Sequence, residues 1–455
     1  MAELLSVGLD VGTTTTQLIV SKLTVENRAS GFAVPHMEIA RRQVIYESPV
    51  HFTPLIGENL VDGEGVRQLL EQEYQKAGIQ PRDVDTGAVI ITGETSRKEN
   101  ARAVLDSLSQ VAGDFVVATA GPALESVLAA KGSGAVAYSK ATGKRVLHMD
   151  IGGGTANLAY IEDGKITATG CMNVGGRLVK LAAGKVTYVS PVVERLTDLR
   201  PGSYPAPGQL EGLSQILVCG LEMAAGLRPA TELLQNLWTQ EDGSPWQPKR
   251  AEAISFSGGV ADCIDADHYP GEFGDMGTQL GQAIKKSLLC QGEYRLGEQT
   301  IRATVIGAGC YSARLSGSTV FSLGVALPLK NLPVAVFTEN EQNAPDLPRI
   351  IEEKLARLDT KQAVLAMPGC RAYAQLCSLA EKLYKACGDR PVLVALRTDC
   401  AKALGQRLQL SGCKAAVCID GVPLDGESYL DIGQRVGPAF PVVVKTLVLR
   451  EEHDE

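Results

Sequence analysis

The chain has 455 residues, more than one hydrophobic core supports, so two or three domains are expected. Its net charge of −8 and its lack of basic runs argue against a nucleic-acid surface. No apolar run is long enough to span a bilayer, and Asp10 with four threonines interrupts the N-terminal stretch that a signal peptide would need. Eleven scattered cysteines, an odd number without a C-x-x-C pair, read as reduced thiols in a cytoplasm rather than as zinc ligands or a disulfide framework.

In chain order, apolar runs at 4–9 and 18–20 predict two strands joined by Asp10-Val11-Gly12-Thr13-Thr14-Thr15, and 41–46 continues their sheet. Asp62 is placed to cap a helix over 63–76, which Gly78 ends. A buried strand at 88–92 runs into Gly93-Glu94-Thr95-Ser96. A helix over 97–111, a strand at 115–118 and a helix from Gly121 follow. Such alternation describes a sheet covered by helices. From Arg145 the theme repeats, with strands at 146–149 and 158–161 around Asp150-Ile151-Gly152-Gly153-Gly154-Thr155.

Asn173-Val174-Gly175-Gly176 is read as the end of a strand and the start of a helix with Arg177. Proline- and glycine-rich stretches at 200–208 and 240–250 read as loops of an inserted smaller subdomain. Residues 330–345, spotted with proline and asparagine, mark a boundary. Beyond it, apolar runs at 363–367, 392–396, 415–419 and 442–448 alternate with helical stretches at 347–358, 372–386 and 401–410, a third small α/β domain. The expected division is 1–144, 145–329 and 330–455. Asp431-Ile432-Gly433 echoes the earlier hairpins without their Gly/Thr turn.

The chemistry lies in the repeated hairpin. Glycine permits a tight turn whose backbone N–H groups can cradle phosphate oxygens. Two aspartates at strand ends can hold a hydrated Mg²⁺. Two related hairpins in one chain point to a duplication whose turns face each other across a cleft. A third element, Ile254-Ser255-Phe256-Ser257-Gly258-Gly259-Val260-Ala261, runs a buried strand into bare backbone on which a nucleoside could lie. His51 is read as packing in an apolar face, and His148, alternating on its strand just before Asp150, as half-buried core. Trp238 and Trp246 are read either as partner contacts or as packing between subdomains.

The motifs and their order resemble those of the actin-like ATPase superfamily. Gly121-Pro122-Ala123-Leu124-Glu125-Ser126-Val127-Leu128-Ala129-Ala130 resembles its first connecting helix, and Val305-Ile306-Gly307-Ala308-Gly309-Cys310-Tyr311-Ser312-Ala313 resembles its second. Over the whole chain, including Ile91-Thr92-Gly93-Glu94-Thr95-Ser96-Arg97-Lys98-Glu99-Asn100 and Tyr429-Leu430-Asp431-Ile432-Gly433, the sequence is similar to the family of ethanolamine ammonia-lyase reactivating factors.

That resemblance implies an α/β fold of the actin-like, ribonuclease H-like type, with duplicated subdomains around a nucleotide cleft and a C-terminal α/β domain. It implies ATP and Mg²⁺ as cofactors and a cytoplasmic ATPase that releases damaged cobalamin from adenosylcobalamin-dependent ethanolamine ammonia-lyase. The lyase is the expected partner, a homodimer is an option, and association with a bacterial microcompartment is implied for enteric bacteria. Asp10 and Asp150 would hold the metal. Gly12, Thr13, Thr14, Thr15, Gly152, Gly153 and Gly154 would contact phosphates, Thr155 would orient the attacking water, and Gly258 and Gly259 would bed the nucleoside.

One departure stands out. Many relatives carry an Asn-Glu pair where this chain has Ala120 and Gly121, so Glu94 becomes the substitute for positioning the lytic water, with Glu125 behind it. The competing readings are a small-molecule kinase of the same fold and a nucleotide-gated scaffold that does not hydrolyse ATP.

Overall fold

Strands rich in leucine and β-branched residues pair wherever a Gly/Thr turn lets the chain reverse. In the first third, β1 (Ala2–Val11) pairs antiparallel with β2 (Thr15–Asn27), and β2 with β3 (Met37–Glu47) and the short β4 (His51–Phe52). On its other side β1 runs parallel to β5 (Thr86–Ile91), which is followed by β6 (Val116–Thr119). The second third repeats the arrangement with β7 (Val146–Ile151), β8 (Ala156–Glu162), β9 (Lys165–Met172), β10 (Ala253–Ser257) and β11 (Glu293–Leu296). The spatial orders, β3-β2-β1-β5-β6 and β9-β8-β7-β10-β11, and the strand directions are the same. This is the duplicated, ribonuclease H-like architecture of the actin-like fold. The computed structural model describes residues 2–12, 15–27, 37–56, 60–91, 116–119, 122–239, 246–266, 268–269, 271–311, 314–316, 319–358, 360, 362–422, 424, 428–435 and 439–446.

Local chemistry sets the element ends. Helix α1 (Gly63–Ala77) starts where the Asp62 side chain accepts from the Gly65 N–H at 3.0 Å, and stops at Gly78, whose φ of 70° favours glycine. The α1 face of Val66 and Leu70 packs on Val7, Leu9, Leu18 and Val20. All six residues of β7 and all five of β10 are buried, as strands covered on both faces require. The helix expected from Arg177 does not form. Gly176 and Arg177 donate to Gly152 O and Gly153 O at 3.0 and 2.7 Å, and Gly176 O accepts from Met276 N at 3.0 Å. With its backbone groups engaged elsewhere, the segment turns instead into a hairpin of Val179–Ala182 and Lys185–Val189. The expected helix over 97–111 lies outside the described residues, as does most of the stretch at 91–100.

Beyond residue 313, β12 (Arg314–Leu315), β13 (Phe321–Leu323), β14 (Leu329–Val336), β15 (Val364–Met367), β16 (Val392–Leu396), β17 (Ala416–Asp420), β18 (Ser428–Ile432) and β19 (Pro441–Thr446) form one sheet. Its order is β12-β19-β18-β14-β15-β16-β17-β13. Strands β14 to β17 are parallel and lie in chain order, so right-handed crossovers put all their helices on one face. There Ile351, Leu379 and Leu404 pack on Leu365, Val394 and Cys418. The opposite face, with Val364, Leu393 and Val417, is covered by Leu430 and Val442 from the sheet's own antiparallel strands and by Phe440 just before β19. Asp431-Ile432-Gly433 sits in this ladder, where Gly433 N bonds Pro441 O at 2.8 Å. All eleven cysteines are free thiols and none is exposed. Among the described residues no helix is long and apolar enough to cross a membrane.

Two helices join the halves: α2 (Pro122–Gly132), just after β6, and, after β11, α3 (Ala303–Tyr311). They cross backbone to backbone. A Cβ on Gly132 would lie 1.8 Å from Ala303 O, and one on Gly307 would lie 2.1 Å from Leu128 O. Each is bonded to the half it does not follow in the chain. In α2, Glu125 accepts from Asn157 at 2.8 Å and Ser126 donates to Gly170 O at 3.3 Å. In α3, Gly309 O accepts from the Ser6 hydroxyl and Cys310 O from Arg42 Nε at 2.9 Å.

Gly132→Ala should therefore destabilise the protein by about 1–3 kcal/mol through overpacking at the crossing. Gly212 lies inside the helix Gln209–Ala224 with no described residue within 4 Å of an added Cβ, and Gly212→Ala should stabilise by about 0.5–1 kcal/mol. Denaturant midpoints moving in opposite directions support the crossing. A neutral Gly132→Ala would remove it as a constraint.

Candidate functional site

The two hairpins are closed by the same bond. Gly12 N donates to Thr15 O at 2.9 Å, and Gly152 N donates to Thr155 O at 2.9 Å. Asp10 faces Gln17 across its hairpin, and Asp150 faces Asn157 across the other. Thr13 and Thr14 lie outside the described residues. The first turn is buttressed by Thr53, whose hydroxyl donates to Gly12 O at 2.8 Å and meets Thr16 Oγ1 at 3.1 Å. The second is buttressed by Gly175 and Gly176. A Cβ on Gly175 would stand 2.3 Å from Gly153 O, so only glycine fits. Arg177 follows, its aliphatic stem against Gly153 and its Nε 3.4 Å from Asp275. Neither Thr53 nor Arg177 carries a motif that sequence reading could use.

Strand β10 delivers the diglycine beside the second hairpin. Gly258 has a φ of 85°, and a Cβ there would meet Ile151 O at 2.3 Å. Val260 N bonds Ile151 O at 3.1 Å. Gly259 is different: among the described residues an added Cβ would meet only Ile301 Cδ1, at 3.9 Å, which leaves its face open to them.

Residues 300–304 bring the three elements together. Thr300 O accepts from Gly258 N at 3.0 Å. Ile301 O accepts from Gln17, the cross-strand partner of Asp10, at 3.4 Å. The Thr304 hydroxyl donates to Asp150 Oδ2 at 3.4 Å. The two hairpins and the diglycine thus abut one helical turn at the start of α3.

Asp150 is buried within a polar network that sequence reading missed. Ser257 donates to its Oδ1 at 2.5 Å. His148, fully rather than half buried, lies 3.0 Å from Ser257 Oγ through Nε2 and 3.1 Å from Ser255 Oγ through Nδ1. Since the Ser257 proton goes to the carboxylate, its oxygen accepts, which assigns the proton of the neutral imidazole to Nε2. Burial pushes the Asp150 carboxyl up to about 6, against the hydrogen bonds from Ser257 and Thr304. Burial, with Arg295 adding to it, pushes His148 down to about 3. The signal was the pair of patterns His148-x-Asp150 and Ser255-x-Ser257, which lie in register on adjacent parallel strands.

Glu125 is buried and bonded to Asn157, which sets it beside the second hairpin. Glu94 lies outside the described residues. Gln17 Oε1 and Asn157 Oδ1, equivalent by the repeat, are both buried without a hydrogen-bond partner among the described residues. His51 does not pack in an apolar face: its Nε2 lies 3.1 Å from the buried Glu73, which also accepts from Tyr46 at 2.6 Å and Lys76 at 2.6 Å. Trp238 and Trp246 stack 5.5 Å apart against Gly170, and Trp246 Nε1 donates to Ala224 O at 2.9 Å, which is packing within the second half.

Comparison with known proteins adds a family. Residues 2–450 match the model of the family described as ethanolamine utilisation protein EutA. The ethanolamine ammonia-lyase reactivase EutA of Salmonella typhimurium is 40% identical over 472 aligned positions, covering 98% of each chain. Its Escherichia coli counterpart is 39% identical over 471, again covering 98% of each. Among solved structures, a Ppx/GppA family member from Aquifex aeolicus aligns with 67% of this chain and 97% of its own, at 13% identity and a TM-score of 0.41. Ethanolamine utilization protein EutJ from Carboxydothermus hydrogenoformans aligns with 68% of this chain and 90% of its own, at 18% identity and a TM-score of 0.31.

The network makes a pH prediction. Asp150 keeps its proton to about pH 6 when folded but releases it near 3.8 when unfolded, so its contribution is present below 3.8 and lost as pH rises to about 6. His148 is opposite: its contribution is present above 6.5 and lost as pH falls toward 3. Between about pH 4 and 6 the two slopes oppose each other. Asp150→Asn should leave the histidine slope, with stability rising across that window. His148→Gln should leave the aspartate slope, with stability falling. Denaturation midpoints that vary with pH in the same sense for both variants would contradict the network.

Proposed function

The chain belongs to the ethanolamine utilisation protein EutA family, and from that membership we propose that it is an ATP-dependent reactivating factor which releases damaged cobalamin from ethanolamine ammonia-lyase. The observation that carries the ATP part is the meeting of both Gly/Thr hairpins and the diglycine at residues 300–304. Three stretches of bare backbone around one turn suit a triphosphate with its nucleoside, and the lyase then places the protein in the cytoplasm. Association with a microcompartment belongs to this same reading.

The residues fit a Mg²⁺ ion. Asp10 and Asp150 offer oxygen donors, which hard cations take. The Asp150 carboxyl is raised by burial with only hydroxyl partners to offset it. The orphaned amide oxygens of Gln17 and Asn157 are placed one cross-strand position away, where they could accept from metal-bound water. Among the described residues no cluster of three or more His, Cys, Asp or Glu is arranged to hold a metal, so water and phosphate would complete the shell. When bound, the ion would neutralise charge on the transferring phosphoryl group.

The chain's own residues do the rest. Backbone N–H groups of the two turns, Gly153 and Gly154 in the second, with Thr13, Thr14 and Thr15, hold the β- and γ-phosphates, while Gly12 and Gly152 close the turns onto Thr15 O and Thr155 O. Gly258 and the open face of Gly259 bed the nucleoside. Thr155 orients the attacking water, and Glu94 or Glu125 is the candidate carboxylate for positioning it. Arg177, on Gly153, adds positive charge beside the second turn. ATP can touch both halves through its γ-phosphate whereas ADP cannot, so the two nucleotides favour different cleft openings. The lyase-binding surface follows that change, and the damaged cobalamin is released.

The direct test adds this protein, ATP and Mg²⁺ to lyase blocked with cyanocobalamin, then supplies fresh adenosylcobalamin. Activity should return only with hydrolysable ATP. Asp10→Asn and Asp150→Asn should each lower ATP hydrolysis by about 10²-fold while remaining folded. Gly259→Val should abolish nucleotide binding in calorimetry with an intact circular-dichroism spectrum. Recovery of the lyase without nucleotide, or parent-like hydrolysis by both aspartate variants, would sink the reading.

A further inference from the structure

We propose that Thr304 is a positioning residue that couples the phosphate site to the interdomain hinge, by donating to Asp150 from a helix fastened to the other half; this rests on the reading of the cleft as an ATP site. The fastening is explicit. From Ile301 onward, α3 and the turn before it are bonded to the first half. Gln17 donates to Ile301 O, Arg302 Nη2 donates to Ser48 O at 3.0 Å, and Arg302 Nε stands 3.7 Å from Glu47. Farther along, Gly309 O accepts from Ser6, Cys310 Sγ lies 3.2 Å from Ser21 Oγ, and Arg42 bonds Cys310 O. A Cβ on Gly8 would meet Val305 O at 2.5 Å, so the helix lies directly on β1.

Thr300 belongs to the opposite side. Its carbonyl accepts from Gly258 N and its hydroxyl donates to Asp262, both in the second half. The change of allegiance between Thr300 and Ile301 marks a hinge point. Thr304, one turn farther on, reaches back across it to Asp150.

The two carboxylate oxygens of Asp150 therefore report to different bodies. Oδ1 is held at 2.5 Å by Ser257, itself fixed by His148, all within the second sheet. Oδ2 meets Thr304 at 3.4 Å. Hydroxyl–carboxylate bonds are usually about 2.5–3.0 Å long, so this contact is slack, and a hinge movement of under about 1 Å decides whether it forms in full. A ligand shifts a two-state equilibrium only through interactions that differ between the states, and this bond is one that can. Linkage then requires the hinge position to alter nucleotide preference by the same factor.

Thr304→Val keeps the shape and removes the donor, whereas Thr304→Ser keeps the donor. In the parent, hydrogen exchange of peptides covering 303–311 should differ between Mg²⁺ with a non-hydrolysable ATP analogue and Mg²⁺ with ADP. In Thr304→Val the analogue should still bind within about tenfold of the parent in calorimetry, yet that exchange difference should fall to less than about half. Thr304→Ser should restore it, which a role in packing alone would not predict. A Val variant that responds like the parent overturns the assignment, and so does a Ser variant that fails like Val. A parent that binds no nucleotide overturns the ATP reading itself, and is told apart from the other outcomes by calorimetry alone.

Discussion

The approach of two helices to within bare-backbone distance is the constraint on which the molecule depends. Gly132 and Gly307 leave no room for a methyl group where the helices cross, and Gly8 leaves none where the second helix lies on β1. Interiors this close-packed do not deform continuously. The crossing can therefore act as a fixed pivot, with relative motion confined to rotation about it. Because each helix is bonded to the half it does not follow in the chain, a rotation of the halves would move each helix against the Gly/Thr hairpin of the half it follows.

The second feature is a polar network placed where a hydrophobic core would be expected. His148 and Asp150 alternate on β7, Ser255 and Ser257 alternate on β10, and the in-register pairing of these strands joins them. Satisfied networks of this kind rigidify a core, and an unpaired member is costly. One end of this network is closed by serines, while the other, Asp150 Oδ2, meets among the described residues the slack bond from Thr304. The carboxylate that the sequence marks as a ligand is thus rigid on one side and adjustable on the other.

Much of the fold was legible. Asp62 and Gly78 bracket the first helix because capping and left-handed termination are local effects. The parallel strands β15, β16 and β17 fall within a residue or two of their apolar runs, since buried parallel strands are continuously hydrophobic, whereas β14 runs into the proline- and asparagine-spotted stretch at 330–345 that reads as a boundary. The helix expected at Arg177 failed for a non-local reason: Gly176 and Arg177 spend their backbone groups on Gly152, Gly153 and Met276. His51 was misread, and the polar partners of His148 were missed, for the same kind of reason. His51 finds Glu73 across 22 residues and His148 finds Ser257 across 109.

What the sequence determined by itself was therefore the repeat: two Asp-turn hairpins, a diglycine strand and two small-residue helices, each specified by side-chain volume and turn geometry over a few residues. Those rules need no knowledge of distant partners. Tertiary structure alone decided which side chains meet: Thr304 with Asp150, Gln17 with Ile301, Glu125 with Asn157, and Thr300 with the backbone of Gly258. Each of these contacts joins segments far apart in the chain, brought into register by the crossing at Gly132 and Gly307. No local pattern encodes such a distance, because a single hydroxyl or amide looks the same in sequence whether it faces solvent or a buried carboxylate.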